Sequence, residues 1–123
     1  MSNKSLIDAF CEEGLEVIDS LRGSFLSIKN NSNDLGAYRN CYVRFHTIKG
    51  NSGFLSYQEL KRITQKCEEI FEDCTEGQRR LTSEQVDIIS KVTDNIHRFI
   101  CTLKESGEAI SLPDDDNFNQ LNF

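Results

Sequence analysis

Proline occurs once in this chain, at Pro113, so no segment before it carries the residue that breaks a helix from within. No apolar run approaches the length that spans a bilayer. The opening Met1-Ser2-Asn3-Lys4 leads into a segment broken by Asp8, Glu12 and Glu13, which is not a signal-peptide core, and a cytoplasmic location is expected. A surplus of positive charge is missing as well. Fourteen Lys and Arg against twenty Asp and Glu leave a net charge of -6, which argues against nucleic acid or an anionic membrane as the main partner. No C-x-x-C pair is present. Cys11, Cys41, Cys67, Cys74 and Cys101 are odd in number, scattered, and lie on or near apolar stripes, as reduced buried thiols do; neither disulfides nor a metal site is expected. Sustained strand alternation and internal repeats are also absent. With 123 residues and no glycine-rich nucleotide lid, the chain is one domain that binds no ATP of its own and calls for no cofactor.

What is present is helical periodicity in four long segments. The first runs from about Lys4 to Lys29 with Ile7, Phe10, Gly14, Val17, Leu21 and Ile28 on one seam, and Asn30 to Asn33 end it. The second starts near Asp34 and carries Leu35, Tyr38, Cys41, Tyr42, Phe45 and Ile48. Ser56 followed by Glu59 reads as a capping box for the third, whose stripe is Leu60, Ile63, Cys67, Ile70, Phe71 and Cys74 and whose stop is Gly77. Thr82 with Gln85 repeats that logic for the fourth, which closes near Gly107. Short polar connections between long amphipathic helices imply an all-α, antiparallel up-down four-helix bundle. Residues 1–107 are expected to form it, and 108–123, with Asp114-Asp115-Asp116, to be a flexible acidic tail or linker; Phe118, Leu121 and Phe123 are the residues with which its end would dock.

His46 lies at the edge of the second apolar stripe, and Gly50 and Gly53 follow it at i+4 and i+7 on the same face. Each helical glycine costs about 1 kcal/mol against alanine. A surface cleared at that cost beside an imidazole suits a site that admits a bulky partner. His97 on the fourth helix has no such setting; Asp94 shares its face, but no second carboxylate-rich pair completes a metal site, and His97 reads as surface.

His46-Thr47-Ile48-Lys49-Gly50, followed by small residues on the second helix of an acidic bundle, resembles the signature of histidine phosphotransfer (HPt) domains, and most nearly the N-terminal phosphoacceptor domain of CheA-type chemotaxis histidine kinases. The resemblance covers roughly Leu6 to Lys104. It implies that His46 accepts a phosphoryl group from a kinase's ATP-binding domain and passes it to an aspartate of a response regulator's receiver domain. Lys49 matches the family lysine that balances phosphoryl charge. Glu68 matches the third-helix glutamate that orients the histidine, and Gln65 stands where the family commonly has a second histidine. Asn51 replaces a small residue and Ser56 a later glycine, the latter read as a good helix cap.

Gly50, Gly53, Asn51 and Tyr42 are the residues expected to meet a partner. The chemistry agrees with the resemblance: attack on phosphorus needs a neutral imidazole with one lone pair free, and a carboxylate holding the other nitrogen's proton selects that tautomer. The competing reading is a silent module of the same fold that docks kinases or receivers without transfer. The first would be a phosphocarrier and neither an enzyme; the chain is expected to be a monomer, free-standing or part of a longer kinase, and the acidic run leans toward the latter because acid-rich linkers follow such domains there.

Overall fold

The computed structural model describes residues 3–123. Among them four long helices follow in order, α1 (Asn3–Asn30), α2 (Leu35–Phe54), α3 (Gln58–Thr75) and α4 (Ser83–Ser106), with two 3-10 turns at Asp114–Asp116 and Asn119–Leu121. α2 packs most extensively on α3, while α1 packs on α2 and on α4, as in an up-down antiparallel bundle. No helix among the described residues is long and apolar enough to cross a membrane.

The seams read from periodicity form one core. Phe25, Phe45 and Phe71 lie nearly parallel, with Phe45 and Phe71 ring centres 5.7 Å apart, and all three are buried. Helix ends follow the local chemistry. Asp34 caps α2 by accepting from the Ala37 N–H at 3.0 Å, and Thr82 and Gln85 cap α4 reciprocally, at 3.1 and 3.0 Å. Tyr38 ties the two connections at one end of the bundle together, its hydroxyl donating to the Ser32 carbonyl at 2.8 Å and accepting from the Leu81 N–H at 3.0 Å.

Two expectations are corrected. Ser56 does not cap α3, which begins at Gln58 after Tyr57 with no side-chain cap. Ser56 instead sits at φ 63° after the end of α2, where the Tyr57 N–H reaches the Ser52 carbonyl at 2.8 Å and the Ser56 N–H reaches Gly53 at 3.2 Å. That is a Schellman ending with serine in the left-handed position glycine prefers, because Cβ crowds the backbone there. The capping-box spacing was therefore coincidental, and Glu59 has other work.

The second correction concerns the C-terminal segment. It packs on the bundle instead of trailing into solvent: Leu112, Asn117 and Leu121 are buried. Glu59 accepts from the Leu112 N–H at 3.1 Å, Asn95 donates to Asn117 at 2.9 Å, and Arg62 pairs with Asp114 while its guanidinium lies 4.6 Å above the Phe118 ring. The run of aspartates suggested solvation. What decides is the apolar spacing around it, Leu112, Phe118 and Leu121, which offers enough buried surface to hold the segment down.

All five cysteines are free thiols, four of them buried and Cys101 half-buried. Burial pushes the Cys11, Cys41 and Cys67 thiols above their ordinary range and Cys74 up to about 11, so these side chains act as small apolar fillers.

Candidate functional site

α2 places His46 by anchoring its neighbours. Phe45 and Ile48 are buried in the core, which turns position 46 outward at the edge of the stripe, and the His46 side chain is 61% exposed. Tyr42, one turn earlier, lies half-buried with its ring nearly parallel to the imidazole, ring centres 6.4 Å apart. Side chains on a helix lean toward its N-terminus, so the imidazole inclines over the Tyr42 turn, and the surface behind it belongs to whatever stands at position 50.

Position 50 is glycine, and a Cβ built there meets no atom within 4 Å. The space is open. Gly53 differs from the expectation of a bare stripe, because the stem of Lys61 on α3 crosses it, with Cδ 3.5 Å and Nζ 3.7 Å from where a Cβ would stand. The cleared surface is thus Gly50, closed off one turn later by a cation.

α3 runs antiparallel to α2 and brings Glu68 under the imidazole. His46 Nδ1 lies 3.2 Å from Glu68 Oε1, and Lys49 Nζ lies 2.7 Å from Glu68 Oε2 as an ion pair rather than an aligned hydrogen bond. Glu68 is buried. A buried carboxylate needs a counter-charge, and Lys49, itself mostly covered, supplies it. An ionised carboxylate can only accept, so the tautomer that satisfies this contact is the one in which Nδ1 donates and the Nε2 lone pair is left free. Burial also gives the imidazole a fixed orientation, since Glu68 is held by the core it sits in.

The remaining sequence-derived residues are placed elsewhere. Gln65 is exposed and donates its amide to Glu69 at 3.4 Å along its own helix. Asn51 donates to Glu13 of α1 at 3.3 Å, since five residues turn it about 140° from His46 around the helix. His97 is half-buried, with Nε2 3.5 Å from Cys101 Sγ, so it is less of a surface residue than its sequence setting suggested.

Two relationships were not legible from the sequence: the crossing of Lys61 over Gly53, and the engagement of Lys49 with Glu68. Helical spacing reports neighbours on one helix; neither pairing is intrahelical.

Comparison with known proteins shows the family and the fold. The model of the Hpt domain family matches residues 5–110. The sensor histidine kinase CheAY of Helicobacter pylori is 23% identical over 104 residues, covering 85% of this chain and 13% of that protein. The chemotaxis protein CheA of Halobacterium salinarum is 24% identical over 103 residues, covering 84% and 15%, and that of Borreliella burgdorferi 25% over 100 residues, covering 81% and 12%. The chain therefore spans a small part of the curated relatives it matches. Among solved structures, the CheA phosphotransferase domain from Thermotoga maritima superposes with a TM-score of 0.79 at 21% identity, covering 84% of this chain and 98% of that one. It has the same fold.

Proposed function

The chain belongs to the Hpt domain family, and from that premise we propose that His46 is its phosphoacceptor, taking a phosphoryl group from the ATP-binding domain of a histidine kinase and handing it to an aspartate of a response regulator. The observation that carries this reading is the single buried carboxylate of Glu68 shared between His46 Nδ1 and Lys49 Nζ. Such an arrangement makes Nε2 the nucleophile. As Nε2 bonds the γ-phosphorus and the bond to the ADP oxygen breaks, positive charge builds on the ring, and Glu68 stabilises it through the Nδ1 hydrogen. Lys49 supplies the counter-charge to that carboxylate and contributes a positive charge one turn from the phosphoryl position.

In the second step an aspartate oxygen attacks phosphorus, the P–Nε2 bond breaks, and the imidazole recovers its neutral form. Neither step requires this domain to hold nucleotide or metal; the partners bring both, and the domain acts as a phosphocarrier in the cytoplasm, as a monomer. Gly50 is the clearance through which each partner reaches Nε2, with Tyr42 forming its near wall.

The test is incubation with a chemotaxis histidine kinase and labelled ATP. Label on the domain that is acid-labile and base-stable, and that disappears in His46→Gln, is the expected result; absence of label, or label that survives that substitution, refutes it.

A further inference from the structure

Cys101 alone among the cysteines is not buried, and it lies on α4 beside α1, away from the α2–α3 pairing that presents His46. His97, one turn earlier on the same face of α4, holds Nε2 3.5 Å from Cys101 Sγ, a distance at which a thiol donates to an imidazole nitrogen. From His97 to Lys104 the helix carries no acidic residue. Across the interface Cys11 of α1 is buried and donates its S–H at 3.7 Å to the carbonyl of Ile100, the residue before Cys101. The two helices approach closely here, since a Cβ on Gly14, one turn from Cys11, would stand 2.8 Å from Ile100 Cδ1. Their register agrees. Lys29–Asp87 and Arg22–Asp94 pair α1 with α4 in antiparallel order, which brings the start of α1 level with the end of α4. Asp8 of α1 and Lys104 of α4 are the charges that reach the Cys11 thiol, and Cys101 is near enough to act on it as well.

We infer that Cys101 is an oxidisable thiol, with His97 as its base, Cys11 as its resolving partner and a peroxide as the oxidant. A free thiol is only slightly ionised at neutral pH, and the thiolate is the nucleophile. His97 Nε2 takes the Cys101 proton. The sulfur then attacks one peroxide oxygen: an S–O bond forms, the O–O bond breaks, and the departing oxygen takes the proton back from the imidazolium, leaving as water or an alcohol. Sulfur has been oxidised to a sulfenic acid and the peroxide reduced. Next the Cys11 sulfur attacks the Cys101 sulfur, an S–S bond forms, the S–O bond breaks, and the hydroxyl leaves as water with the Cys11 proton. In the reduced protein Cys11 is core filling; after oxidation it staples α1 to α4. That bond encloses most of the chain, so it restricts the unfolded state strongly.

The test treats the folded full chain with hydrogen peroxide. A Cys11–Cys101 disulfide is expected, identified by peptide mapping, reversed by dithiothreitol and accompanied by a higher urea midpoint. Cys11→Ala should stop at a sulfenic acid on Cys101 that dimedone traps, and Cys101→Ser should give neither product. The role of His97 is read from alkylation of Cys101 by iodoacetamide in the Cys11→Ala protein, with helicity followed by circular dichroism. Adding His97→Gln should slow alkylation about tenfold at pH 7, and the two rates should converge to within about twofold near pH 9, where a thiol ionises without a base. Equal rates at pH 7, or a difference that persists undiminished at pH 9, overturn His97 as the base. Wild-type oxidation that stops at sulfenic acid, or that joins other cysteines, overturns the pairing of Cys101 with Cys11. Every readout is independent of His46, so none of these outcomes bears on the phosphoacceptor reading.

Discussion

Glu68 stands 22 residues from His46 along the chain and 3.2 Å from its Nδ1 in space, and its other oxygen meets Lys49 at 2.7 Å. Two residues thus share one buried carboxylate, and the imidazole it orients is the exposed one. Geometry of this kind fixes a tautomer and a direction of attack before any partner arrives.

Replacing Glu68 with Ala removes the acceptor for Nδ1. Phosphorylation of His46 by a kinase should slow by about 10–100-fold, in line with losing an orienting partner of a histidine. Nitrogen NMR of the imidazole should at the same time show the single Nδ1–H tautomer of the wild type giving way to a mixture. Retention of both the rate and the tautomer would remove Glu68 from the mechanism.

Gly50 separates stability from function. Gly50→Ala meets open space and should stabilise the bundle by about 1 kcal/mol through helix propensity alone. Gly50→Leu should also keep or raise the urea midpoint, yet its side chain would lean over the His46 turn and block transfer. A leucine variant with normal transfer rates would show that the cleared surface serves no docking.

Ser56→Gly tests the Schellman ending of α2. Relieving the left-handed serine at φ 63° should add about 1 kcal/mol, part of the strain being offset by the greater freedom of glycine in the unfolded chain. Thermal unfolding should move up by a few degrees, on the order of 3 °C.

Leu121 is fully buried although it lies in the segment whose composition suggested a tail. Leu121→Ala should cost about 2–4 kcal/mol in urea unfolding, as buried leucines do. A change near zero would mean that the segment does not dock in solution.

The thiols set the alkaline limit. Burial raises Cys74 from 9.0 to about 11, and Cys41 and Cys67 are raised as well. The unfolded chain therefore releases these protons at lower pH than the folded one, so the stability they contribute is complete below pH 9 and is lost as pH climbs through 9 toward 11. Denaturant midpoints should fall over that window, and less steeply in Cys74→Ala.

Much of this was legible in the residues. Periodicity located all four helices to within a few residues, because amphipathic helices are specified by local spacing and by caps such as Thr82–Gln85. Ser56 was misread for the same reason. A capping-box spacing looks identical whether or not the backbone enters the helix there, and only the turn geometry, with Tyr57 bonding back to Ser52, separates the two. The docked end was hidden because a run of aspartates weighs heavily in composition, whereas the groove that receives Leu112 and Leu121 exists only after α3 and α4 have packed.

The sequence alone determined that four helices form, that His46 faces outward at a stripe's edge, and that Gly50 leaves its neighbourhood bare, since each depends on contacts within one helix. Tertiary structure decided what that histidine can do. Glu68 becomes its partner, Lys49 becomes the partner's counter-charge, and Lys61 closes the groove at Gly53 only because α2 and α3 run antiparallel in one register. Register is set by how the Phe45 and Phe71 rings fill the shared core, a property that no single helix possesses.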